Sequence, residues 1–294
     1  MLVVGCSKSR KLALKLSKEL KASYSDLFVD EFPDGELRIR FQTALKGKTV
    51  LLVQSMHPSP NDSLMELLLA LRTAKELNAK KIIAVVPYLA YARQDVRFNP
   101  GECVSNKIIA RMIEDAGANA FVTVNTHLHR ISSLKEIFKI PSVDILLNDY
   151  FADYYAAKKY ANILVVGPDI ESTPWIKHIA KKLKADYYVF NKKRFTGTKI
   201  ENIILPGLNA EGKNVLLIDD VASTGNTLIS VSKILKKYGA KRVDCVVTHL
   251  LDESGGKKIL NGGISSIACA DTLENKYVRI DCSKAIALAV RKLV

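Results

Sequence analysis

Two adjacent carboxylates, Asp219 and Asp220, precede a run of hydroxyls and small residues, Ser223, Thr224, Gly225, Asn226 and Thr227. Carboxylates repel phosphate. The pair therefore suits sugar hydroxyls, as hydrogen-bond acceptors, or a hard cation, as oxygen ligands. Hydroxyl donors and a glycine that lets the backbone come close suit the opposite partner, a phosphate. The two parts of the stretch together point to a phosphorylated sugar. The plainer alternative is a strand, a turn and a capped helix with solvated acids.

The flanking residues supply the elements that would position this stretch. Val215-Leu216-Leu217-Ile218 is an apolar run of the kind a buried parallel strand shows, and residues 228–238 have a helical apolar pattern. A strand ending at a helix start presents unpaired N–H groups and the positive end of a dipole. The full spacing Asp-Asp-x-x-Ser-Thr-Gly-x-Thr resembles the phosphoribosyl-pyrophosphate-binding signature shared by type I phosphoribosyltransferases and ribose-phosphate pyrophosphokinases. The signature does not separate those two branches.

The chain of 294 residues is long enough for two domains, and 48% apolar with 25% charged residues is a globular balance. Five cysteines are scattered with no Cys-x-x-Cys pair, which argues against a disulfide scaffold or zinc site and suits a reducing compartment. No apolar run reaches membrane-spanning length. A strand-like run at residues 2–4 leaves no room for a signal peptide, so a cytoplasmic location is expected. The net charge of +14 comes from lysines spread over helices, at 8–21, 75–81, 177–184 and 233–241. That is a solvated basic surface with some pull on polyanionic substrates, not a nucleic-acid stripe.

Short β-rich runs alternate with amphipathic helical ones. Strands are expected at 2–5, 50–54, 82–86, 120–125, 163–166, 215–219, 243–248 and 266–270, with helices at 12–20, 63–77, 105–115 and 170–183. This predicts an α/β fold with mainly parallel sheets flanked by helices. The halves also look alike. Lys48-Thr-Val-Leu-Leu-Val-Gln54 matches Lys213-Asn-Val-Leu-Leu-Ile-Asp219, and Leu2-Val-Val-Gly5 matches Leu164-Val-Val-Gly167. Two copies of one unit are expected, over 1–143 and 144–294, joined near 141–150. Where the second copy has Asp219 and Asp220, the first has Gln54 and Ser55. The phosphosugar therefore belongs to the second copy, and the first is free for another ligand.

Residues 87–102 follow a strand and read Pro-Tyr-Leu-Ala-Tyr-Ala-Arg-Gln-Asp-Val-Arg-Phe-Asn-Pro-Gly-Glu. The C-terminal end of a parallel strand is where ligands bind, and guanidinium forks with aromatic faces suit a nucleotide, or else an interface loop. Residues 32–36, Phe-Pro-Asp-Gly-Glu, hold a hairpin turn that explains Pro33, Asp34 and Gly35 but not Phe32 and Glu36.

These two segments and the Asp-Asp signature, in this order, resemble ribose-phosphate pyrophosphokinases along essentially the whole chain. The resemblance implies two tandem phosphoribosyltransferase-like (type I) domains. It also implies Mg²⁺-dependent transfer of pyrophosphate from ATP to the 1-hydroxyl of ribose 5-phosphate, releasing AMP, in a homo-oligomer. Phe32, Asp34 and Glu36 would contact adenine across a subunit interface; Arg93, Gln94 and Asp95 would hold the ATP end. His127 and Asp169 would lie at the metal. Asp219, Asp220 and residues 223–227 would hold ribose 5-phosphate. Residues 191–198, Asn-Lys-Lys-Arg-Phe-Thr-Gly-Thr, resemble the family's mobile catalytic loop, with Lys192 and Arg194 stabilising the transferring group. One departure is Asn125, where the family has an acid two residues before the histidine. A contact there would lack charge, and Mg²⁺ prefers oxygen ligands, so His127 could equally be a capping or supporting residue. His129 and His249 receive no role. The last helix, within 282–294, is expected to pack back on the first domain. A phosphoribosyltransferase acting on a base and a catalytically silent relative are the competing readings.

Overall fold

Thr49–Val53 and Lys81–Val86 are apolar almost throughout and buried on both faces, which only the centre of a covered parallel sheet allows. They are strands β4 and β5 of a seven-stranded sheet. Its other strands are β1 (Leu2–Gly5), β2 (Ser23–Glu31), β3 (Leu37–Phe41), β6 (Ala120–Val124) and β7 (Ser142–Ile145), in the order β3-β2-β1-β4-β5-β6-β7. All pairs are parallel except β2 with β3. The computed structural model describes residues 1–97, 99–126, 133–191 and 206–294. These fall into two compact units. The first comprises Met1–Leu146, Asp271–Glu274 and Asp281–Val294; the second comprises Leu147–Ala270 and Asn275–Ile280.

In the first unit, helices α1 (Arg10–Leu20), α2 (Pro60–Glu76) and α3 (Ser105–Ala116) cover the sheet. Strand β2 pairs with β1 only over Ser23–Asp26. Beyond that it pairs with β3 alone, so the hairpin runs past the sheet as an arm. Its exposure alternates along β3, with Arg38 and Arg40 outward, as an edge strand guarded by charge should. The final helix, which we number α8 (Ser283–Arg291), packs on α1. Lys15 pairs with Asp271 at 2.7 Å and Asp281 at 3.0 Å, Lys11 pairs with Glu274 at 2.7 Å, and Arg291 donates to the Glu19 carbonyl at 2.7 Å.

The second unit holds a six-stranded, all-parallel sheet in the order β13-β12-β11-β10-β8-β9. Its strands are β8 (Ile163–Gly167), β9 (Asp186–Val189), β10 (Asn214–Ala222), β11 (Arg242–Leu250), β12 (Ser266–Ala270) and β13 (Val278–Ile280). Its helices are α4 (Asn148–Ala156), α5 (Thr173–Leu183), α6 (Asn226–Lys237) and α7 (Glu253–Asn261). The helix expected from residue 170 starts with a short 3-10 turn, Ile170–Ser172, before α5. Strand β10 is longer than its sequence pattern suggests. It pairs with β11 through Ala222–Leu250, so Asp219 and Asp220 lie in extended backbone, not at its end.

Candidate functional site

The sugar-side residues come together in the second unit. Gly225 caps α6 with φ +72, which favours glycine, and a Cβ there would meet Ile259 Cγ1 at 2.2 Å. Asn226 and Thr227 are the first residues of α6, and Ser223, Thr224, Asn226 and Thr227 are all exposed. Leu228, Val231 and Leu235 turn inward and fix the helix on the sheet. The result is an open helix start lined by hydroxyls.

The acids stand beside it. Asp220 N–H donates to Asp219 Oδ1 at 3.0 Å, and Val221 N–H to Asp220 Oδ1 at 2.7 Å. Asp169 follows β8 and accepts from Ser172 N–H at 3.3 Å. Burial, then the neighbouring Asp220 and Asp169 carboxylates, hold the Asp219 carboxyl well above the usual carboxylate range. Three acids thus share one field that a cation would relieve. Among the described residues no three Asp, Glu, His or Cys side chains are grouped to enclose an ion. Mg²⁺ fits such an open set, because it keeps several waters and is usually held by one or two carboxylates and by substrate phosphates.

The corresponding crevice of the first unit is built the other way round. Counting from Gly5 and Gly167, Ser7 matches Asp169, and Gln54 matches Asp219. Between Ser7 and Gln54 lies Glu66 of α2, buried at 3% exposure. Its carboxylate accepts from Ser7 N–H at 2.8 Å, Ser7 Oγ at 2.5 Å and Gln54 Nε2 at 2.8 Å. Gln54 Oε1 accepts from Lys8 N–H at 3.0 Å, and Ser55 Oγ donates to the Thr272 carbonyl at 2.6 Å. Donors here surround one internal acid, and the crevice is satisfied without a ligand.

Arg93, Gln94 and Asp95 lie on the loop after β5. Arg93 is exposed, Gln94 half-buried and Asp95 buried. Two residues earlier, Tyr91 has φ +64, an outlier for an aromatic residue. Its hydroxyl donates to Asn61 on α2, and its carbonyl accepts from Ser105 Oγ on α3 at 3.0 Å. Asn106 N–H reaches the Gln94 carbonyl at 3.4 Å, and Cys103 Sγ lies 3.2 Å from Gln94 Oε1. The loop is pinned from both helices.

Phe32, Asp34 and Glu36 form the tip of the β2–β3 arm. Phe32 N–H donates to Glu36 O at 2.8 Å, and Glu36 N–H to Asp34 Oδ1 at 3.2 Å, with Gly35 at φ +92. Phe32 is 45% exposed, and the Arg38 guanidinium lies 5.6 Å from its ring centroid. Phe32 is six residues past Asp26, the last β2 residue paired with β1, which is roughly 20 Å of strand. The tip therefore projects past the part of β2 that pairs with β1.

Asn125 is buried with φ 42, and its N–H donates to the Ile145 carbonyl at 2.9 Å. The adjacent strand carries an acid, Asp144, which accepts from Thr126 N–H at 3.0 Å. Burial pushes its carboxyl up to about 7, against hydrogen bonds from Thr126 that pull it down. His127, Lys192 and Arg194 lie outside the described residues. Sequence reasoning passed over Glu66, Asp144 and Gly255. Only Gly255 left a signal, as half of a glycine pair inside a helical pattern.

Comparison with known proteins agrees with this layout. Residues 1–117 match the model of the N-terminal domain of ribose phosphate pyrophosphokinase, and residues 133–277 the phosphoribosyl transferase domain. A ribose-phosphate pyrophosphokinase of Methanopyrus kandleri is 34% identical, covering 100% of this chain and 99% of its own length. That of Methanobrevibacter smithii is 34% identical, covering 99% and 100%. A crystal structure of phosphoribosylpyrophosphate synthetase from Mycobacterium smegmatis has the same fold, with a TM-score of 0.86 at 24% identity, covering 99% of this chain and 98% of that one. Matched in both halves and across its full length, the chain belongs to the ribose-phosphate pyrophosphokinase family.

Proposed function

We propose that this chain transfers the pyrophosphoryl group of ATP to the 1-hydroxyl of ribose 5-phosphate, giving 5-phosphoribosyl 1-pyrophosphate and AMP. The 1-hydroxyl loses its proton to water as its oxygen bonds to the β-phosphorus, the bond from that phosphorus to the α–β bridging oxygen breaks, and AMP leaves with the electron pair. One contrast carries the reading. The second unit sets acids beside an open donor-lined helix start, while the matching crevice of the first unit is closed by Glu66.

In this reading residues 223–227 donate to the 5-phosphate, and Asp219 and Asp220 accept from the ribose hydroxyls. Arg93 and Gln94 hold the triphosphate, with buried Asp95 supporting their loop. Mg²⁺ would be held at Asp169 together with substrate phosphate oxygens, and the family resemblance adds His127 as a candidate. Bound there, it would neutralise charge on the triphosphate. Lys192 and Arg194, by the family resemblance, stabilise the transferring group. Phe32, Asp34 and Glu36 hold adenine for a neighbouring copy, a role supported by the exposed tip of an arm that β3 alone pairs with.

AMP formation from ATP and ribose 5-phosphate by the purified protein tests the proposal. Turnover of ribose 5-phosphate without ATP would favour a base-directed phosphoribosyltransferase, and nucleotide binding without AMP a silent relative. Lys192→Ala is expected to lower turnover far more than ATP affinity.

A further inference from the structure

Helix α7 has two adjacent glycines near its start, Gly255 and Gly256, although glycine weakens a helix relative to alanine. Neither has a positive φ. Close approach is what requires them. A Cβ at Gly255 would stand 2.0 Å from the Ser223 carbonyl oxygen and 3.2 Å from the Ser223 carbonyl carbon. A Cβ at Gly256 would stand 2.4 Å from Tyr277 Cε2. One turn on, buried Ile259 fills the space beside Gly225, where a Cβ would be 2.2 Å from Cγ1. Residues 255 and 259 share one helix face. The loop 223–225 therefore lies with its backbone directly on α7.

We infer that Gly255 is a positioning residue for ribose 5-phosphate: its missing side chain sets the height at which Ser223 and Thr224 face the 5-phosphate. This rests on the reading of residues 223–227 as the phosphate cradle. A methyl group at 255 must displace either the helix or the loop. The helix is held by buried Ile259, by the Asp252 cap that accepts from Ser254 N–H at 3.0 Å, and by Tyr277 on Gly256. The loop is exposed at Ser223 and Thr224, so the loop yields.

The test is a set of substitutions in the full chain, read by steady-state kinetics and thermal unfolding. Gly255→Ala is expected to raise the KM for ribose 5-phosphate about tenfold, with the KM for ATP unchanged and the unfolding temperature lowered by the displaced loop. Gly256→Ala, which meets Tyr277 and not the loop, is expected to lower the unfolding temperature and leave both KM values alone. An unchanged ribose 5-phosphate KM in Gly255→Ala, or an equal rise in both KM values, overturns the inference. Thr227→Ala separates it from the cradle reading. If Thr227→Ala leaves that KM unchanged, the cradle itself is wrong; if it raises the KM and Gly255→Ala does not, only the positioning role falls. Should Gly255→Ala not fold, Ile259→Val loosens the other seat of the loop on α7, at Gly225, and is expected to raise that KM about twofold; no rise overturns the inference that α7 sets the height of the loop.

Discussion

Gln54 Nε2 donates to the Glu66 carboxylate at 2.8 Å, and both residues are buried. The bond turns a possible ligand crevice into a closed polar network. Glu66→Ala removes the acceptor for Ser7 N–H, Ser7 Oγ and Gln54 at once. With unpaired buried groups costing about 1–3 kcal/mol each, a loss on the order of 3–5 kcal/mol is expected in urea unfolding. Glu66→Gln should lose less, and formate should recover part of the Glu66→Ala deficit. A deficit below roughly 1 kcal/mol would mean that the network adds little.

Burial, and then the field of Asp220 and Asp169, disfavour the charged Asp219 carboxylate. Asp219→Asn should therefore stabilise the ligand-free protein while removing most turnover, as expected where a site stores repulsion for a ligand to relieve. Thermal unfolding and AMP formation, measured on the same preparation, check the two signs. A destabilised variant would contradict the repulsion.

Tyr91 combines a left-handed backbone with bonds to α2 and α3. Tyr91→Phe deletes only the hydroxyl that reaches Asn61. An increase of about fivefold in the KM for ATP is expected, the worth of one hydrogen bond near 1 kcal/mol, with ribose 5-phosphate unaffected. Asn61→Ala should give the same increase, and the double variant no more. Additive effects would show that the two residues act apart.

Asp144 sets a pH dependence. Its folded carboxyl titrates at about 7, above the ordinary aspartate value of 3.8, so the native state binds the proton more tightly than the unfolded chain. The stabilisation from the protonated form is complete below pH 4 and declines as pH rises to about 7, by up to roughly 1.4 kcal/mol per pH unit. Asp144→Asn should remove this slope. Unfolding of both forms in urea from pH 4.5 to 8 measures the difference, and parallel curves would refute it.

If the β2–β3 arm serves a neighbouring copy, lesions on the two sides should complement. Phe32→Ala and Asp220→Asn are each expected to be nearly inactive alone. Mixed and allowed to reassemble, they should recover activity, because some sites then carry neither change. No recovery, with mixed oligomers shown by mass, would place adenine within one chain.

Much of this was readable from residue order, for identifiable reasons. The apolar runs at β4, β5 and β10 are continuous because parallel central strands are buried on both faces. The glycine and hydroxyls before α6 are required locally by the turn. The sequence pattern ends β10 early because carboxylates are poor strand formers, yet pairing with β11 carries the strand through Ala222. Short, half-buried β7 and β13 have too little pattern to announce themselves. Glu66 sits among leucines, and nothing local says that its partners are Ser7 and Gln54, 59 and 12 residues away. Tyr91 likewise owes its backbone to Asn61 and Ser105, which only the fold brings near.

The first unit is left unfinished at Leu146 and is completed only by Asp271–Glu274 and Asp281–Val294. A ribosome at about 5–20 residues per second exposes α1 some 10–50 s before α8 can cover it. Lys15 waits through that interval for Asp271 and Asp281. Vectorial folding of this chain should thus finish the inner unit before the outer one, and a product that stops before Ser283 would leave α1 without the helix that packs on it.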